Sequence, residues 1–232
     1  ERALRLHCER VDTVKLDIVR ERMQPSKRQL FDEIWRRITA PPTSASAAST
    51  SSGIIVVPIS PAFTAADCDR LIECGIAEIV TPEMERREPT QAFCQTFTIV
   101  EDEKGRRRLI NWPIVVNMLI RALFNKSLVS PPMEHVANYL GLFECAGANT
   151  KTVGATFDGK LAFWQVPLPE SARAFQRCRD ASGRLVQITR LTMGHVDSVA
   201  LMQLICASVA GHPDVVHSCT MRLGRCSSRC FP

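Results

Sequence analysis

Three stretches of this sequence carry residue types that could do chemistry together. Asp158 closes the apolar run Val153-Gly-Ala-Thr-Phe-Asp158. A carboxylate there has two ordinary uses: it caps the following turn, or it offers oxygen to a hard divalent ion such as Mg²⁺. Mg²⁺ usually takes one or two carboxylates plus substrate phosphates, so one Asp is half of a site. Phe163 and Gln165 follow shortly after, and an aromatic side chain at that spacing is commonly a core residue. Arg106, Arg107 and Arg108 open the run RRRLINWP. On a strand, alternate side chains face opposite ways, so Arg106 and Arg108 share one face and Arg107 takes the other. Such a run is either a solvated strand start or a phosphate grip, because guanidinium forks match phosphate oxygens. The third stretch is Met193-Gly194-His195. Gly194 suits tight backbone or the close approach of a ligand. His195 reads as a surface loop histidine, since no Ser or Cys nucleophile pattern accompanies it.

The surrounding pattern supplies elements to hold these residues. Residues 1–24 are charged, with Val11, Val14, Leu16, Ile18 and Val19 as a loose apolar set, and predict a helix that Pro25 interrupts. Ser26-Lys-Arg-Gln29 matches a capping box, and Leu30, Phe31, Ile34, Trp35 and Ile38 follow on one helical face. That helix docks on a core or a partner, or lies along nucleic acid. Residues 40–53, APPTSASAASTSSG, read as a flexible linker. Ile54 to Ile59 reads as a strand or extended segment. Thr64 to Asp67 is a second capping box, opening a helix that reaches Gly75 as its C′ residue. Ile76 to Val80 is a short apolar run. Gln95 to Val100 and the arginine run form a hairpin about the turn at 101–105. Ser130-Pro-Pro starts a helix with Val136, Tyr139, Leu140 and Phe143 facing inward. Ala174 to Arg179 and Arg184 to Leu191 are the arms of another hairpin, turned at Asp180 to Gly183. Ser198 is the expected N-cap of a helix whose apolar face is Val199, Met202, Ile205, Cys206 and Val209, with Gly211 at its end.

Composition bounds the answer loosely. A chain of 232 residues makes one large or two small domains, and 45% hydrophobic with 23% charged content is that of an ordinary globular protein. The net charge of +5 permits an anionic partner without demanding one. The ten cysteines are scattered, with no CxxC pair, and read as reduced thiols of an intracellular protein. No apolar run is long enough to span a membrane, and no signal-peptide pattern is present. A chain that opens on Glu reads as a fragment.

The order of these parts is more specific than any one of them. FDGKLAFWQVPLP resembles the first palm motif of reverse transcriptases, and LTMGHVDSVALMQ resembles the second. RRRLINWP looks like their finger strand. Residues 54–211 fit overall. RRRLINWP, PPMEHVANYL and FQRCRDASGRLVQITRL together look most like the tyrosine-recombinase retroelements of trypanosomatids, the TATE and VIPER class. The resemblance implies an α+β fold: an incomplete reverse-transcriptase fingers and palm at 54–211, preceded by an N-terminal helical segment at 1–39 and the linker at 40–53. It implies that Asp158 is catalytic and binds Mg²⁺. Phe163 would press against the sugar 2′ position. Arg107 and Arg108 would meet the triphosphate, with a register uncertainty of one residue. Met193 and Gly194 would line the nucleotide pocket, and Gln165 belongs to the same set. The implied partners are an RNA template, a DNA primer and dNTPs, acting in the nucleus if the element is functional.

This sequence also departs from the family pattern. Thr192 and Val199 stand where Pro is common, Asp197 where small residues are usual, and Gly159 where an apolar residue follows the Asp. The third palm motif carries two adjacent Asp about thirty residues past the second-motif Gly. Here that region reads HSCTMRLGRCSSRCFP, residues 217–232, and Asp214 is the last acidic residue. Residues 212–232 therefore read as a degenerate tail. The expectation is a truncated segment of a transposable element that is catalytically incomplete, with a non-catalytic RNA or RNA–DNA binding remnant as the alternative.

Overall fold

The computed structural model describes residues 4–40, 56–123 and 159–210. Asp158, the helix expected from Ser130, most of the linker, Gly211 and the tail all lie outside them. The described residues form a mixed α and β structure.

The N-terminal residues 4–15 form no helix, contrary to the sequence expectation; α1 spans only Leu16–Glu21. The reason is a competing partner. His7 N–H donates to the Arg107 carbonyl at 2.7 Å, and Arg107 N–H donates to the Arg5 carbonyl at 2.9 Å. Leu6 and Cys8 alternate into the core. A helix would forfeit both the ladder and that burial. α2 runs Pro25–Thr39 with Gln24 as an N-cap whose side chain makes no capping bond. Ser26 therefore sits inside the helix, and the expected capping box is not formed. Proline's fixed φ and missing N–H favour the first helical position. Phe31, Ile34 and Ile38 face inward as expected.

α3 (Ala65–Glu73) opens on the expected box: the Thr64 side chain accepts from Asp67 N–H, and the Asp67 carboxylate accepts from Thr64 N–H. Gly75 ends it at φ 69°, a conformation that costs other residues about 1 kcal/mol or more. Residues 56–59 make no strand; Ile59 forms only a parallel bridge with Arg179 and is largely exposed. β1 (Ala77–Ile79) and α4 (Pro82–Arg87) follow. β2 (Gln95–Glu101) and β3 (Arg106–Trp112) form an antiparallel hairpin in register from Gln95↔Trp112 to Glu101↔Arg106. Its turn is a short 3₁₀ segment at Asp102–Lys104 with left-handed Gly105. α5 spans Ile114–Leu123.

Beyond residue 158, a 3₁₀ turn at Ala162–Gln165 and α6 (Glu170–Arg173) lead to β4 (Arg177–Arg179) and β5 (Leu185–Ile188). The expected hairpin forms with shorter strands. β1, β5 and β4 make an antiparallel sheet in that order. α7 (Ser198–Ala210) closes the described chain. Ser198 is its first residue rather than its cap, since the hydroxyl donates back to the Thr192 carbonyl at 2.6 Å. Leu201 and Ile205 are its buried apolar residues, whereas Val199, Cys206 and Val209 are exposed. The helix is apolar nearly all round, so its sequence could not fix which stripe turns inward.

Two main clusters fill the interior. One joins Leu6 and Cys8 to α3, β3 and the three-stranded sheet through Leu71, Leu109, Val186 and Ile188. The other joins Val19 of α1 and Phe31, Ile34 and Ile38 of α2 to Val166, Leu168, Leu201 and Ile205. The N-terminal helices thus share a core with α7. No helix among the described residues is long and apolar enough to cross a membrane.

Candidate functional site

β3 is the centre of the site because its two faces do different work. Arg107 points toward α3. Its guanidinium forks onto the Asp67 carboxylate at 2.5 and 2.9 Å, and its Nε donates to the Leu4 carbonyl at 2.8 Å. Asp67 is almost fully buried and is the same residue that closes the α3 capping box. Arg106 and Arg108 point the other way. The Arg106 Nε lies 2.5 Å from one oxygen of Glu101, and the Arg108 terminal nitrogen 2.6 Å from the other. One carboxylate held between two guanidiniums leaves a net positive charge. The Arg106 hydrogen bond holds the Glu101 carboxyl below the usual carboxylate range.

The loop before α7 packs directly onto β3. A Cβ on Gly194 would fall 2.4 Å from the Asn111 carbonyl oxygen and 3.0 Å from Trp112 Cα. Glycine is required here by the protein's own backbone. Asn117 of α5 pins the loop from both sides: its Nδ2 donates to the Gly194 carbonyl at 2.8 Å, and its Oδ1 accepts from Val196 N–H at 2.9 Å. Sequence reasoning passed over Asn117. Its signal was a lone amide in the apolar run IVVNMLI, where an unsatisfied polar group would be costly.

His195 is not a surface histidine. It is 2% exposed, and its Nδ1 accepts from Asp197 N–H at 3.1 Å. Burial pushes its pKa down to about 4, so the imidazole is neutral near pH 7. Burial likewise raises the carboxyl of Asp197, against the pull of Arg37.

These elements enclose a cavity of about 650 Å³. It is lined by Arg106 and Arg108 with β3 as far as Asn111, by Gly159 to Trp164, by Thr192 to Gly194 and by His7. Of the residues expected at a site, Arg108, Phe163, Met193 and Gly194 come together here. Arg107 does not line it, because strand alternation turns it to the opposite face, onto Asp67; the arginines on the cavity side are Arg106 and Arg108, not the expected adjacent pair Arg107 and Arg108. Gln165 also stands away from it, its amide donating to the Lys160 carbonyl at 2.8 Å and its own carbonyl accepting from Val14 N–H at 2.8 Å. That turn is entered through Leu161 at φ 50°, a left-handed conformation unusual for leucine. Phe163 lines the cavity and also packs on the second core cluster. His7, Lys160 and Trp164 were not anticipated. Lys160 is ion-paired with Glu9 of the N-terminal segment.

Arg106, Arg108 and Lys160 beside the rings of Phe163 and Trp164 and a half-exposed Met193 suit a ligand with an anionic end and a flat apolar part. Among the described residues, no three His, Cys, Asp or Glu side chains converge as a metal site. Asp158, the carboxylate expected to hold Mg²⁺, lies outside those residues.

No family model matches this chain, and no curated protein matches it. Among solved structures, it is similar to a foamy viral protease-reverse transcriptase dRH in complex with ds DNA, with a TM-score of 0.45 at 12% identity over 87% of this chain and 36% of that one. A foamy viral protease-reverse transcriptase in complex with dsDNA gives 0.46 at 13% identity, over 87% and 43%. The native Prototype Foamy Virus Protease-Reverse Transcriptase gives 0.41 at 12% identity, over 88% and 28%. This chain thus spans less than half the length of each. Likeness of this degree fixes neither a shared site nor a shared activity.

Proposed function

We propose that residues 54–211 are a reverse-transcriptase-like fingers and palm segment of a transposable element of the TATE and VIPER type, and that its cavity takes the triphosphate and sugar of a dNTP. The reading is supported by one observation above the others. Arg108, Phe163, Met193 and Gly194, singled out from three separate sequence motifs, border a single cavity. In this reading Arg106 and Arg108 grip phosphate, Phe163 stands at the sugar and Met193 at the base. Asp158 is assigned to Mg²⁺, which would supply charge neutralisation at the reacting phosphate. The 232 residues contain no two adjacent Asp. We therefore assign this chain, by itself, a nucleotide- and nucleic-acid-binding role without polymerisation.

Primer extension on an RNA template with a DNA primer, dNTPs and Mg²⁺ tests this. No extension is expected. Robust incorporation that disappears in Asp158→Ala would overturn the claim of inactivity. Anisotropy titration with an RNA–DNA duplex tests the rest. Binding should weaken as salt rises, because phosphate contacts release counterions, and Arg106→Ala/Arg108→Ala should weaken it further. Absence of binding at low salt removes the binding role.

A further inference from the structure

We infer that His7, carried in by the N-terminal segment, is a third anion-contacting residue of this cavity, so that the site binds a triphosphate more tightly when the imidazole is protonated. The inference rests on the nucleotide reading above and adds a residue and a pH dependence to it.

The geometry begins with backbone register. Residues 5–7 run parallel to β3, paired at Leu6↔Arg107. Hydrogen bonds join Arg107 N–H to the Arg5 carbonyl and His7 N–H to the Arg107 carbonyl. The segment therefore lies along the free edge of β3, joined to it by one isolated parallel bridge. Leu6 and Cys8 are 7% and 3% exposed and belong to the core. Alternation along an extended chain then sends His7 to the opposite face. That is the face of Arg106 and Arg108, and His7 lines the same cavity. The placement is not left to a loose terminus, because the Arg107 side chain also bonds the Leu4 carbonyl and Arg70 approaches the Cys8 carbonyl at 3.4 Å.

The charges around His7 make its proton responsive to an anion. Burial first, and then Arg106, hold the imidazole below its ordinary range. Arg108 acts in the same sense, while Glu9 and Glu101 pull the other way. Glu9 is itself occupied by Lys160, and Glu101 by both arginines. A polyphosphate bound beside Arg106 and Arg108 would offset the field of Arg106 at the imidazole and favour a proton on it. The site then presents three cationic groups on one face.

Calorimetric titration of the full chain with sodium tripolyphosphate, and separately with dATP, at about pH 5.5 and about pH 8 tests this, with circular dichroism confirming the fold at both. The protein should bind about tenfold more tightly at the lower pH, beyond whatever change His7→Gln retains from the ligand's own titration. His7→Lys, with its fixed charge, should bind tightly at both. If His7→Gln keeps the full pH dependence while Arg108→Ala abolishes binding, the role of His7 is wrong and the nucleotide cavity stands. If neither probe binds the unaltered chain at either pH, the cavity reading itself fails.

Discussion

Arg107→Ala separates the two faces of β3 more sharply than any other single change. The substitution removes two fork bonds to Asp67, at 2.5 and 2.9 Å, and the bond from Nε to Leu4 that anchors the N-terminal segment. The Asp67 side chain is 4% exposed and the Arg107 side chain 24%. Breaking a fully buried pair from one side costs about 3–5 kcal/mol, since the remaining charge is stranded, whereas a surface pair contributes roughly 1 kcal/mol or less. With one partner buried and the other a quarter exposed, the expected loss is about 2–3 kcal/mol. For a chain of this size that lowers Tm by roughly 5–10 °C. The control is Arg108→Ala, whose pair with Glu101 has side-chain exposures of 36% and 17%. It should cost roughly 1 kcal/mol or less in stability, yet weaken polyphosphate binding. Thermal and urea unfolding followed by circular dichroism measure both. Asp67→Asn together with Arg107→Ala should recover part of the loss, and the double-mutant cycle built from these two changes reads the coupling directly. An Arg107→Ala protein of full stability that no longer binds tripolyphosphate would refute the face assignment, because Arg107 would then be spending its fork on ligand.

Three further outcomes follow from the packing and the titrating groups. Gly194→Ala should destabilise by about 1–3 kcal/mol in urea unfolding, since the new methyl meets the β3 backbone at 2.4 Å and no side chain can swing aside; an unchanged midpoint would mean the loop does not rest on β3. His195, with its folded pKa depressed to about 4 from 6.5, contributes stability that is present above pH 6.5 and lost as pH falls toward 4, because the unfolded chain takes the proton first. Asp197, whose carboxyl burial raises, works in the opposite sense at acid pH. His195→Gln should therefore flatten the acid side of the stability curve, and an unaltered slope would show that the imidazole is not buried neutral. The Cys8 and Cys74 sulfurs lie 3.1 Å apart, and burial first, then the hydrogen bond with Cys74, pushes the Cys8 thiol up to about 12. Oxidised glutathione should couple the pair slowly at neutral pH and faster in alkali, two thiols being oxidised as one glutathione disulfide is reduced. The cross-link would close a separation of 66 residues and stabilise by about 4 kcal/mol in the chain-entropy model. Peptide mapping without reductant that finds no Cys8–Cys74 link would mean the N-terminal segment does not dock as described.

Much of the architecture could be read from local rules. The α3 capping box, the left-handed Gly75, the turn joining β2 to β3 and the turn at Asp180–Gly183 each rest on contacts within a few residues, which the sequence states directly. Strand alternation likewise separated Arg107 from Arg106 and Arg108 before any fold was known. The sequence could not say which face met the cavity. That depended on Asp67, forty positions away, offering a buried carboxylate to one side of β3. The same kind of distant partner decided the other departures. Residues 4–8 are extended because β3 leaves an edge for them, although their charge pattern suits a helix. The inward stripe of α7 was set by α2 packing on a helix apolar nearly all round. His195 is buried because the loop carrying it is pressed onto β3 and held by Asn117. By itself, then, the sequence determined the elements and the residue types that could meet phosphate. Only the tertiary structure decided which of them share a cavity, because a side chain's partner across the fold is chosen by packing and charge burial that no local spacing encodes.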